Sequence, residues 1–144
     1  MTDDLRKQFV KDLCLDIEGV FPTLPSDVIL FIACQFALES NYGSSNLAKV
    51  QKNYCGMKNP LVRPSTSVTR GDGQQHYACY MYRIHCIVDY FLCLSYHRPL
   101  AKELENLDLF KSFLKKFYCP EKDYIDKINS IYQQFKSLKD ERKF

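Results

Sequence analysis

From Val28 to Leu38 the chain is apolar at every position except Gln35, with Pro22 and Pro25 before the run and Asn41 and Gly43 after it. The run falls well short of the roughly 20 apolar residues that span a bilayer. Wound at 3.6 residues per turn it is apolar nearly all round, which suits a helix buried at the centre of a domain. The prolines cannot lie inside that helix, because each lacks an amide donor and disfavours a helical residue before it. Asp27 suits the first turn, and Asn41 and Gly43 tolerate the left-handed backbone that ends a helix. The central helix is therefore expected from just after Ser26 to Glu39 or Ser40.

The rest of the chain must pack around it. At 144 residues there is room for one domain with a sizeable core, over 1–144. A chain that is 46% hydrophobic and 26% charged belongs with globular proteins rather than disordered, collagenous or membrane-spanning ones. Leu5, Phe9, Leu13 and Ile17 fall at helical spacing and predict a surface helix from Asp3 to about Glu18, capped by Thr2. Ser44 or Ser45 can cap a short helix through Leu47, Ala48 and Val50. Ile84, Ile87, Val88, Phe91, Leu92 and Leu94 predict a helix over Arg83 to Tyr96. Two more fit Leu107 to Phe117 and Lys122 to Lys136, and Lys139 to Phe144 reads as a charged, frayed tail. Between Asn59 and Gln75 the composition turns to Pro, Ser, Thr, Arg and Gly. With Gly71-Asp72-Gly73 as a turn and Ser67 to Thr69 and His76 to Tyr80 as weak strands, a small hairpin or long loop is expected there. The fold class is thus mainly α, with a small β-hairpin or loop lobe beside the helices.

Seven cysteines without any Cys-x-x-Cys spacing suggest free thiols and a reducing compartment, not a disulfide framework or a zinc knuckle. Cys79, Cys86 and Cys93 recur every seven residues, and on a helix the last two share a face as small buried hydrophobes. His76, His85 and His97 lack metal-ligand spacing, so neither metal nor cofactor is expected. A formal charge of +3 and no continuous basic stripe argue against a nucleic-acid partner. Met1 to Lys7 lacks the apolar stretch of a secretory signal. The chain has ten Tyr, ten Phe and no Trp, and tyrosine suits a groove because its ring is apolar and its hydroxyl hydrogen-bonds.

Glu39 follows Cys34-Gln35-Phe36-Ala37-Leu38 at the C-terminal end of the central helix. Partial burial and the negative end of the helix dipole both raise a carboxyl pKa. An acid kept protonated near neutral pH can donate a proton to a leaving oxygen, as a glycosidase requires. The alternative is a carboxylate that merely pairs with Lys49 or Lys52.

The stretch Ala37-Leu38-Glu39-Ser40-Asn41-Tyr42-Gly43-Ser44-Ser45-Asn46-Leu47-Ala48, then Asn53-Tyr54-Cys55-Gly56-Met57-Lys58, resembles the signature of the bacterial glucosaminidase family of peptidoglycan hydrolases. That signature reads A-L-E-S-x-x-G-x-S-x-L-A, then N-L-F-G-I-K. Tyr77, Tyr80, Asp89 and Tyr90 are similar to a second block, and Phe117 to Ile128 to a third, G-Y-A-T-D-x-x-Y-x-x-K-I. The resemblance implies a lysozyme-like fold, two lobes facing across a glycan groove. It implies cleavage of the β-1,4 bond after N-acetylglucosamine in peptidoglycan, with Glu39 as proton donor and Tyr118 facing it across the groove. Tyr42, Asn53, Tyr54, Lys58 and Tyr80 would be the sugar contacts, although Asn53 is better suited to a structural role, bonding its own backbone beside a turn.

The sequence departs from the family at the second carboxylate. Arg63 to Gln75 offers only Asp72, which also suits an ordinary turn. Without it, either the substrate's N-acetyl oxygen acts as nucleophile or the protein is impaired. Rival readings are a muramidase or lytic transglycosylase using the same acid, and a glycan-binding module without turnover. Absent a signal, the chain is expected as a monomer made in the cytoplasm that reaches the cell wall by release or export, as a phage lysis enzyme or secreted effector does.

Overall fold

A computed structural model describes residues 1–60, 63–68, 76–97 and 102–141. Helix α1 spans Asp3–Val20, with the Thr2 hydroxyl accepting from the Leu5 amide at 3.2 Å and Asp3 and Asp4 in the first turn. Its buried row is Val10, Leu13 and Ile17, with Phe9 and Cys14 packed alongside. Leu5, expected in that row, is 59% exposed.

Helix α2, Ser26–Ser40, is buried at every position from Val28 to Ala37. It ends in three consecutive left-handed residues, Asn41, Tyr42 and Gly43. The buried Ser40 hydroxyl locks this end, donating to the Phe36 carbonyl at 2.7 Å and accepting from the Gly43 amide at 2.9 Å. Gly43 is required twice over. Its φ is +79°, and a Cβ there would stand 2.6 Å from a ring carbon of Phe9.

Helix α3, Asn46–Gln51, is capped by Ser45. Helix α4 spans Arg83–His97 and is tied to α1 by Arg83, whose guanidinium meets Asp16 at 2.6 Å. After a 3-10 turn at Glu103–Glu105 comes α5, Leu107–Phe113, capped by the Asn106 side chain. The helix expected to run on to Phe117 widens at Leu114–Tyr118 into a π turn, closed by the Cys119 amide on the Leu114 carbonyl at 2.9 Å. Such turns aim side chains that a regular helix would point elsewhere. Helix α6, Tyr124–Phe135, passes into a 3-10 turn at Lys136–Glu141. Leu138 is buried there, and the tail expected to fray continues that turn to Glu141 with Asp140 and Glu141 exposed.

Helix α2 packs against α1, α5 and α6, and aromatic edges knit the centre. Phe36 meets Tyr90 of α4 at 5.1 Å and Phe31 meets Phe110 of α5 at 6.3 Å, both edge to face.

The small lobe is not a regular hairpin among the described residues. It contains two isolated antiparallel bridges, Lys58 with Tyr77 and Val68 with Cys79. A wider ladder is blocked by side-chain amides that take its carbonyls: Gln51 Nε2 donates to the Tyr77 and Ala78 carbonyls at 3.2 and 3.4 Å, and Asn53 Nδ2 to Ala78 at 2.8 Å. The expected turn at Gly71-Asp72-Gly73 lies outside the described residues.

Candidate active site

The locked end of α2 delivers Glu39 to a groove of about 490 Å³ between the helices and the small lobe. Gly56, Lys58 and Arg63 line it from the small-lobe side, Cys93 and Tyr96 from α4, and Phe117 and Tyr118 from the π turn. Gly56 has a φ of +70°, the left-handed backbone that favours glycine, and a Cβ there would meet Glu39 Oε2 at an ordinary contact distance of 3.5 Å.

Glu39 presents surface to solvent along the groove. Its carboxyl pKa is nonetheless raised, first by the partial desolvation of the group, with the charge of Glu121 adding to it and a hydrogen bond with Tyr124 opposing it. The negative end of α2 acts in the same sense as desolvation. Behind the carboxyl runs a buried chain of hydrogen bonds. The Tyr90 hydroxyl donates to Gln35 Oε1 at 2.5 Å, and Gln35 Nε2 donates to the Tyr124 hydroxyl at 2.9 Å.

Tyr118 stacks on Tyr124 with ring centroids 6.3 Å apart, and its hydroxyl donates to the Cys55 carbonyl at 3.0 Å. Its proton is thus spent on the backbone. The oxygen lone pairs remain for a donor in the groove.

Glu39, Tyr118 and Lys58 share the groove, whereas four expected sugar contacts do not line it. Asn53 is 1% exposed and fully engaged: Nδ2 donates to the Met57 and Ala78 carbonyls, both at 2.8 Å, and Oδ1 accepts from the Met57 amide at 3.1 Å. It shapes the loop that carries Gly56. Tyr80 is 2% exposed and donates to Asp89. Tyr42 packs between Phe9 and Phe135 with Arg6 over its ring, and Tyr54 against Phe9 with Arg83 over its ring. In this structure all four side chains pack into the scaffold beside the groove. Asp72 lies outside the described residues.

The site also holds residues not singled out from the sequence. Arg63 grips the fully buried Asp89, and the Tyr80 hydroxyl donates to the same carboxylate. Burial works against that charge, but these donors outweigh it and hold the carboxyl below its ordinary pKa. Tyr96 and Phe117 present exposed rings along the groove, 56% and 36% accessible. Cys93, expected as a buried hydrophobe, is half-buried there instead, while Cys86 and Cys55 touch as thiols at 3.4 Å inside the core. Among the described residues no cluster of His, Cys, Asp or Glu could hold a metal ion, and no helix is long and apolar enough to cross a membrane.

The catalytic domain of the autolysin Auto from Listeria monocytogenes is similar in structure, with a TM-score of 0.64 at 19% identity over 99% of this chain and 90% of that one. At that identity the likeness establishes a shared fold. No curated protein sequence matches the chain. The model of the glucosaminidase family, described as mannosyl-glycoprotein endo-beta-N-acetylglucosaminidase, matches residues 27–137, which include Glu39 and nearly the whole groove. The chain belongs to the glucosaminidase family.

Proposed function

We propose that the protein is a peptidoglycan hydrolase, an endo-β-N-acetylglucosaminidase that cleaves the β-1,4 bond after N-acetylglucosamine with Glu39 as general acid. The observation that carries this reading is the carboxyl of Glu39, its pKa raised, opening into a groove of about 490 Å³ in a chain of the glucosaminidase family. Protonated Glu39 gives its proton to the glycosidic oxygen as the bond from C1 breaks. The resulting carboxylate then takes a proton from the water that completes hydrolysis.

The positive charge developing at C1 needs a partner. Asp89 cannot serve, since it is fully buried and its oxygens are committed to Arg63 and Tyr80. Asp72 is one candidate. The other is the 2-acetamido oxygen of the sugar itself, which can attack C1 and later be displaced by water. Tyr118, with lone pairs free of its bond to Cys55, is suited to hold the acetamido N–H. Tyr96 and Phe117 are suited to stack on pyranose faces. The protein would act as a monomer on the bacterial cell wall after release or export from the cytoplasm.

Digestion of purified peptidoglycan, followed by borohydride reduction and mass spectrometry, tests the bond assigned. Fragments ending in reduced N-acetylglucosamine are expected. Ends at reduced N-acetylmuramic acid would assign a muramidase instead, and anhydro-muramyl ends a lytic transglycosylase. Asp72→Asn separates the two mechanisms: a collapse of turnover assigns the water-activating role to Asp72, and unchanged turnover assigns the acetamido oxygen.

A further inference from the structure

Cys55 stands where the glucosaminidase signature has Phe, so its thiol is this chain's own departure from the pattern. Its sulfur lies 3.4 Å from that of Cys86, a residue 31 positions further along, and both side chains are buried. The Tyr54 amide donates to the Cys86 sulfur, also at 3.4 Å, which fixes where that sulfur stands. One thiol belongs to the loop beside Glu39 and the other to the first turn of α4. A disulfide requires the two sulfurs to close to about 2.0 Å, a short step from contact. An unfolded chain has no such head start. It must first close a loop of that length against its conformational entropy, which the fold has already done.

We infer that Cys55 and Cys86 are free thiols in a reducing compartment and join as a disulfide in an oxidising one, tying the loop that carries Gly56 to α4. The passage between compartments belongs to the proposed function, whereas the pairing of the sulfurs is a property of the fold. The oxidant is an exchangeable disulfide of the surrounding medium. Cys55 borders the groove and is the one to attack it. Its thiolate bonds to one sulfur of the external disulfide and expels the other as a thiolate. The Cys86 thiolate then bonds to the Cys55 sulfur and expels the second. The pair gives up two electrons and two protons, and the external disulfide ends as two thiols. Burial, and after it the contact with Cys86, push the Cys55 thiol up, so the bond forms while the chain folds or when the loop opens. Once formed, it anchors a segment that serves the site twice. The Cys55 carbonyl accepts from the Tyr118 hydroxyl at 3.0 Å, and the next residue, Gly56, faces Glu39.

The test is to refold the reduced chain in glutathione buffers of graded reduced-to-oxidised ratio, cap the remaining thiols with N-ethylmaleimide in urea, and map the peptides by mass spectrometry without reduction. A Cys55 peptide joined to a Cys86 peptide is expected as the dominant link. It is expected to close at a level of oxidised glutathione lower by about a hundredfold or more than in the same chain held unfolded in urea. By linkage, the closed form should melt above the reduced form by about 10 °C, a gain that dithiothreitol reverses and that Cys86→Ala lacks. Cys55 and Cys86 capped at every ratio, a different cysteine linked in place of either, or a link no easier to close in the folded chain than in urea, would overturn the inference. No glycan enters this measurement. Failure of the glycosidase reading would show separately, as wild-type turnover that survives Glu39→Gln.

Discussion

Arg63 holds Asp89 with both terminal guanidinium nitrogens, 2.6 and 3.1 Å from its two carboxylate oxygens. Asp89 is wholly inaccessible and the Arg63 side chain only 10% exposed, yet Arg63 also lines the groove. The pair therefore pins the small lobe to α4 and sets the wall opposite Glu39. Removing one partner of such a buried pair leaves the other charge without compensation. Asp89→Asn is expected to destabilise the protein by about 3–5 kcal/mol in denaturant unfolding, and to raise KM for glycan by loosening that wall.

The same carboxylate dictates a pH dependence. Its folded pKa lies below the ordinary value, so its stabilisation is fully present above about pH 4 and is lost as pH falls through the folded value. The melting temperature of the wild type should fall on acidification below about pH 4. Asp89→Asn should lose part of that dependence.

Glu39 has the opposite sign. Its folded pKa is raised, so the protonated form is favoured by folding, and this contribution is lost as pH rises through the folded value. The ionised form of the acid is a burden on the fold. Glu39→Gln, which keeps the shape and removes the charge, is expected to melt slightly above the wild type at pH 7 and to lose that advantage below about pH 4. Such a gain marks a side chain kept for chemistry.

Gly43→Ala meets two obstacles, a left-handed φ of +79° and a Phe9 ring carbon 2.6 Å from the new methyl. A loss of about 1–3 kcal/mol is expected in denaturant unfolding. Phe9 also packs on Tyr42 and Tyr54, so the near-ultraviolet tyrosine signal should change with it.

Much of this architecture is legible in the sequence where the signal is local. Helix α2 is readable because an apolar run broken only by Gln35 meets left-handed residues at Asn41 and Gly43, and that reading leads to Glu39. The direction in which an aromatic side chain points is not local. Tyr42 and Tyr54 look like sugar platforms in a row of letters, but Phe9, from a helix far earlier in the chain, claims both rings. The small lobe is harder still, because it is held by side-chain amides of Gln51 and Asn53 acting on carbonyls at Tyr77 and Ala78. Gln35 was visible as the one polar interruption of the apolar run, four residues before Glu39. Its partners Tyr90 and Tyr124 come from helices that only the fold brings together.

The central claim is that Glu39 is the proton donor of a peptidoglycan hydrolase, and the most direct measurement is the rate at which wild type and Glu39→Gln release soluble fragments from purified peptidoglycan at equal folded concentration. The account predicts release by the wild type that declines as pH rises through the raised pKa of Glu39, and a rate lower by about a hundredfold or more in Glu39→Gln. Equal rates from the two proteins, or no release from either, would contradict it.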